Sequence, residues 1–110
     1  FINFSKSILY SLGFSSNFYF DFTAQLYQAE NCPWCVLARD KLMELGISYV
    51  IHNPRLTSNR GRTITNQQSY DAMMTIGEID QVPFLVDPDA DTFLYESSDI
   101  IAYLDEHYGS

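Results

Sequence analysis

A chain of 110 residues has room for one domain with a real core, but not for two. Its 46% hydrophobic and 15% aromatic content rules out an intrinsically disordered chain. A net charge of −8 argues against nucleic acid or anionic membrane as a partner, because both need a basic face.

The charge is unevenly spread. Lys6, Arg39, Lys41, Arg55, Arg60 and Arg62 are all the basic residues, and none lies beyond position 62, whereas acids continue from Asp71 to Glu106. Between Glu44 and Asp71 there is no acid, and Arg55, Arg60 and Arg62 fall in that gap. The stretch is either a solvated loop or a docking site for a carboxylate.

Residues 1–22 mix aromatics with Ser and Asn and show neither alternation nor a helical stripe. They are expected to form a poorly ordered extension outside the domain. Lys6 followed by Ile8, Leu9 and Tyr10 faintly echoes a secretory signal, but Ser11, Gly13, Ser15 and Ser16 break it, and no stretch has the length of a membrane span. A cytoplasmic, monomeric protein is expected, with its domain over 23–108.

From Thr23 the pattern becomes regular. Residues 24–29 read as a strand, and residues 36–45 as a helix stopped by Gly46. Residues 47–51 form a second strand, ended by Asn53-Pro54. A strand–helix–strand run of this length predicts a right-handed parallel crossover. A polar loop at 57–62 leads to a helix over 67–76, closed by Gly77. Residues 82–86 and 92–95 are strands joined by an Asp/Pro turn, which predicts a hairpin. Ser97 or Ser98 should cap a last helix that buries Ile100, Ile101, Leu104 and Tyr108. The order predicts an α/β fold: a four-stranded mixed sheet (βαβ-α-ββα) with three helices packed on both faces.

Cys32 and Cys35 are the only cysteines, and Pro33 and Trp34 separate them. Pro33 suits a first helical position, because its missing amide would have no partner there. Cys32 then lies at a helix N-terminus, where free amides and the dipole favour an anionic sulfur, the species active in disulfide exchange. Cys32 should be exposed, and Cys35, one turn in, more buried and placed to attack a mixed disulfide. Glu30 and Asn31 offer Cys32 no cationic neighbour. Trp34 is either a surface aromatic or the apolar approach to the sulfur. A structural disulfide is disfavoured because so short a loop constrains little chain entropy. Zinc is disfavoured because only His52 and His107 remain to complete a ligand set.

Pro83, after Val82, is either an edge-strand proline or a cis-proline beside the thiols. In the second case the Val82 amide and carbonyl could pair with an extended peptide. Glu96-Ser97-Ser98-Asp99 could be only a helix cap. As a lone signal the cap reading prevails; the alternative is a site for an α-amino acid head group, with helix amides on the carboxylate and an acid on the ammonium.

Cys32-Pro33-Trp34-Cys35, Val82-Pro83-Phe84-Leu85 and the run from Glu96 to Leu104 together resemble a glutaredoxin, of the branch similar to the N-terminal domain of glutathione transferases. The resemblance covers residues 24–108. It implies a thioredoxin-like fold and a thiol–disulfide oxidoreductase that reduces disulfides or mixed disulfides. Glutathione or a related small thiol would be co-substrate, with no tightly bound cofactor. Disulfide-containing or glutathionylated proteins would be its partners. By the same resemblance Cys32 would be the nucleophile and Cys35 the resolving thiol, with Pro33 and Trp34 as active-site neighbours. Val82, before Pro83, would pair with the cysteinyl part, and Glu96, Ser97 and Ser98 would hold the γ-glutamyl head. Arg55 is assigned to the glycyl carboxylate from its loop position. The lysine often found before the first cysteine in glutaredoxins is absent. An iron–sulfur module with Cys32 as ligand and a non-catalytic glutathione-binding domain are the alternatives.

Overall fold

A computed structural model describes residues 2–3 and 22–109. Its strands are β1 (Ile2–Asn3), β2 (Ala24–Tyr27), β3 (Tyr49–His52), β4 (Phe84–Asp87) and β5 (Thr92–Tyr95), and its helices are α1 (Pro33–Glu44), α2 (Gln67–Gly77) and α3 (Ser97–Tyr108). The sheet order is β1-β5-β4-β2-β3. β2 runs parallel to β3 and antiparallel to β4, and β4 and β5 form the expected hairpin. The four strands expected from the pattern are all present. Ile2–Asn3 adds a short antiparallel edge on β5, and the rest of the expected extension up to residue 21 lies outside the described residues.

Strand alternation divides the core between the two faces. Leu26, Leu85 and Leu94 point to the side covered by α1 and α3, where Ala38, Leu42, Ile100, Tyr103 and Leu104 complete a buried cluster. Tyr27, Phe84, Val86 and Phe93 point to the other side, against Met73 and Ile76 of α2. Both faces are covered, so β2 and β4 are buried along their whole length. Each fully buried leucine contributes about 1.5–3 kcal/mol relative to exposure.

Several boundaries differ from the sequence expectation. Tyr103 takes the buried position on α3 expected of Ile101 and Tyr108; Ile101 is half-buried and Tyr108 exposed. The Tyr103 and Tyr108 hydroxyls both donate to the buried Asp87 carboxylate, each at 2.5 Å, tying α3 to the end of β4. Gly46 follows α1 in the left-handed region (φ 68°), as expected of a C-terminal glycine. Gly77, by contrast, is still helical, and Glu78 takes the left-handed cap (φ 66°). Gly77 is needed for another reason: a Cβ there would lie 2.2 Å from the Tyr95 hydroxyl.

Candidate active site

The N-terminal ends of α1 and α3, the loop before β4 and the 55–62 loop meet around a cleft of about 740 Å³. This is within the usual range for small-ligand sites, about 300–1,000 Å³. Cys32, Pro33, Trp34, Arg55, Val82, Pro83, Glu96, Ser97 and Ser98 all line it. Cys35 lies behind the wall and is fully buried. The expected site residues that line it, spread through the chain from Cys32 to Ser98, thus come together in one place.

Cys32 is the N-cap of α1, with Pro33 in the first turn, and the Cys35 amide donates to Cys32 Sγ at 3.3 Å. A sulfur in this position receives a helix amide and faces the positive end of the dipole, and both favour negative charge. The expectation that Cys32 is exposed needs correction. It is only 8% accessible, because it packs with Ala29 and Cys35 and with Val82 from the loop before β4. It reaches solvent through the cleft, beside the 59%-exposed Trp34. The Cys35 thiol is pushed up to about 12, first by burial and then by its hydrogen bond to Cys32, with Arg39 pulling in the opposite direction. Arg39, four residues beyond Cys35, is a cationic neighbour of Cys35. It donates to buried Gln28, which in turn donates to Asn53 at 2.5 Å, bracing the turn that leads into the motif.

The Val82–Pro83 bond is cis. Among the described residues, the Val82 amide and carbonyl are unpaired within the chain. Across the cleft, α3 begins at Ser97, and Glu96 rather than a serine takes the N-cap position. Glu96 has φ 68° and makes no side-chain capping bond, so the expected serine cap is not formed. Its carboxylate instead accepts from Gln81 at 2.8 Å, while Ser97 and Ser98 line the cleft. Asn31 (φ 64°), Arg62 (φ 55°) and Glu96 all line the cleft with positive φ, a concentration of costly backbone typical of functional sites.

Arg55 lines the cleft, but its side chain is only 3% exposed and already paired. Nε meets Asp80 Oδ1 at 2.5 Å, and Nη1 donates to the Leu56 carbonyl at 2.9 Å. Arg62, which the sequence offered only as part of a basic loop, lies exposed at the rim and donates to the Asp80 carbonyl at 2.9 Å. Arg55 thus pairs with the Asp80 carboxylate, whereas Arg62 meets only its main-chain carbonyl and carries its charge at the rim of the cleft. Gln81 and Asp80 are site residues that sequence reasoning missed; their position just before Val82-Pro83 was the available signal.

Residues 26–110 match the profile of the family described as glutathione S-transferase, N-terminal domain. No curated protein sequence matches the chain. A glutathione S-transferase from the Antarctic clam Laternula elliptica superposes with a TM-score of 0.60 at 23% identity, over 78% of this chain and 35% of that one. Ure2p in complex with glutathione gives 0.60 at 22%, over 78% and 33%. Oxidised glutaredoxin 2 from Chlamydomonas reinhardtii gives 0.57 at 19%, over 96% and 91%. The shared property at these identities is the thioredoxin-like fold. The chain spans about a third of the first two structures.

Proposed function

The chain belongs to the glutathione S-transferase N-terminal domain family, and on that footing we propose that it is a glutathione-dependent thiol–disulfide oxidoreductase of the glutaredoxin type. The observation that carries this reading is Cys32 Sγ at the floor of the cleft, receiving the Cys35 amide at the start of α1. A thiolate there attacks the glutathione sulfur of a mixed disulfide. The substrate S–S bond breaks, a Cys32–glutathione disulfide forms, and the substrate sulfur leaves as a thiolate that takes up a proton. A second glutathione thiolate then releases oxidised glutathione and restores Cys32. Alternatively Cys35 loses its proton and attacks Cys32, closing the dithiol as a disulfide and releasing reduced glutathione.

The rest of the cleft suits the tripeptide. The free Val82 backbone can pair with the cysteinyl unit in strand fashion. The α3 amides with Ser97 and Ser98 suit the γ-glutamyl carboxylate, and Glu96 suits its ammonium group. For the glycyl carboxylate we assign Arg62 in place of Arg55, because Arg55 is buried against Asp80 while Arg62 reaches the rim. Disulfide-containing or glutathionylated proteins are the proposed substrates and the cytoplasm the proposed setting. Turnover of a glutathionylated peptide by the purified protein tests the reading: reduction that vanishes in Cys32→Ser supports it, and equal activity in that variant refutes it.

A further inference from the structure

The loop that presents Val82 is pinned residue by residue from the neighbouring strand and loop. Ile79 is held twice by one hydroxyl: its amide donates to Tyr95 Oη at 3.2 Å, and Tyr95 Oη donates back to its carbonyl at 2.7 Å. Asp80 is held by Arg55 and Arg62, as described above. Gln81 is held by Glu96 at 2.8 Å. Val82, the next residue, has no main-chain partner among the described residues, and it lies in the cleft wall beside Cys32.

Tyr95 is the hinge of this arrangement. It ends β5 directly before Glu96, so one strand end anchors Ile79 through one side chain and Gln81 through the next. Its ring stacks on Phe84 at 4.3 Å, and the hydroxyl reaches Ile79 through space that only a glycine at position 77 leaves open. A docking edge is useful only if its position is fixed before the ligand arrives, since ordering it on binding would weaken affinity.

We infer that Tyr95 is a positioning residue for glutathione recognition, fixing the Val82 backbone through Ile79 so that the cysteinyl unit meets a preformed edge. This rests on the function proposed above. It assigns Tyr95 no contact with the reacting sulfurs, so its loss should affect peptide disulfides more than disulfides without a peptide backbone.

The test compares Tyr95→Phe with the unaltered chain in two measurements. The first is the rate at which Cys32 is modified by oxidised glutathione, divided by its rate with bis(2-hydroxyethyl) disulfide. The ratio is expected to fall at least fivefold; an unchanged ratio, or an equal fall in both rates, overturns the inference. The second, amide hydrogen exchange over residues 79–82, needs no ligand. Exchange at Ile79 is expected to quicken at least tenfold while β2 and β4 stay protected; unchanged exchange overturns the clamp. If oxidised glutathione has no advantage even on the unaltered chain, while exchange quickens as expected, the glutathione reading fails and the inference about recognition falls with it, but the clamp stands. Gly77→Ala, which crowds the Tyr95 hydroxyl, should reproduce both effects, and a normal ratio there with a displaced hydroxyl counts against the inference.

Discussion

The backbone amide of Cys35 donates to Cys32 Sγ at 3.3 Å, so the peptide unit of one cysteine supports negative charge on the sulfur of the other. The Cys35 thiol is held protonated by burial and by its hydrogen bond to that same sulfur. The two cysteines are therefore chemically unlike, although they sit one helical turn apart in the same motif.

Because the supporting amide belongs to the main chain, Cys35→Ser should leave Cys32 reactive. Intact-mass analysis after exposure to a glutathionylated peptide should show a persistent glutathione adduct on Cys32, and reduction of small glutathionylated substrates should continue. Loss of both would mean that Cys32 is not the attacking sulfur.

Asp80→Ala should destabilise the fold by about 3–5 kcal/mol, because it leaves the buried Arg55 guanidinium without its carboxylate. Urea unfolding checks this. A change under about 1 kcal/mol, the range of an exposed pair, would show that Arg55 reaches solvent in solution.

Arg62→Ala should behave in the opposite way. Its side chain is at the rim, so stability should hold, while affinity for reduced glutathione falls roughly tenfold with the loss of one charge-assisted hydrogen bond. Calorimetric titration at low and high salt separates the contributions: the difference between the chains should shrink as salt rises. Equal binding by the two chains would return the glycyl carboxylate to another residue.

Stability should depend on pH at both ends. Tyr27 is pushed up to about 12 by burial. Tyr103 and Tyr108 are also raised, by burial first and then by the Asp87 carboxylate they donate to. The unfolded chain releases these protons near pH 10, whereas the folded chain keeps them, so stability falls as pH rises above that point. His52 is lowered by burial, so the unfolded chain takes a proton that the fold resists, and stability also falls as pH drops below 6.5. Urea midpoints from pH 5 to 11 should describe a plateau with two declining arms. Tyr103→Phe should flatten part of the alkaline arm and cost about 1.5–3 kcal/mol at neutral pH, the worth of a hydrogen bond to a charged group.

Most of the fold could be read from local signals. Short apolar runs between turn residues marked the strands at 24–29 and 92–95, Pro33 marked the start of α1, and Gly46 its end. The site was legible where chemistry is local to a motif, as with Cys32 and Cys35, or where a short motif carries a known geometry, as with Val82-Pro83. Contacts between distant segments left no such trace. Arg55 and Asp80 are 25 residues apart, and their pairing turned an expected ligand contact into a buried ion pair. Ser97 and Glu96 were misassigned because capping preference favours serine. Here Gln81 and the positive φ of Glu96 override it. The burial of Cys32 depends on Val82, fifty residues on, which no spacing around the cysteines reveals.

Peptide-level mass spectrometry of the protein after brief exposure to oxidised glutathione and acid quench probes the asymmetry between the two sulfurs. A glutathione adduct on Cys32 in the Cys35→Ser chain, and none on Cys35 in the Cys32→Ser chain, is the expected result. An adduct on Cys35 with Cys32 unmodified would contradict the roles assigned to both.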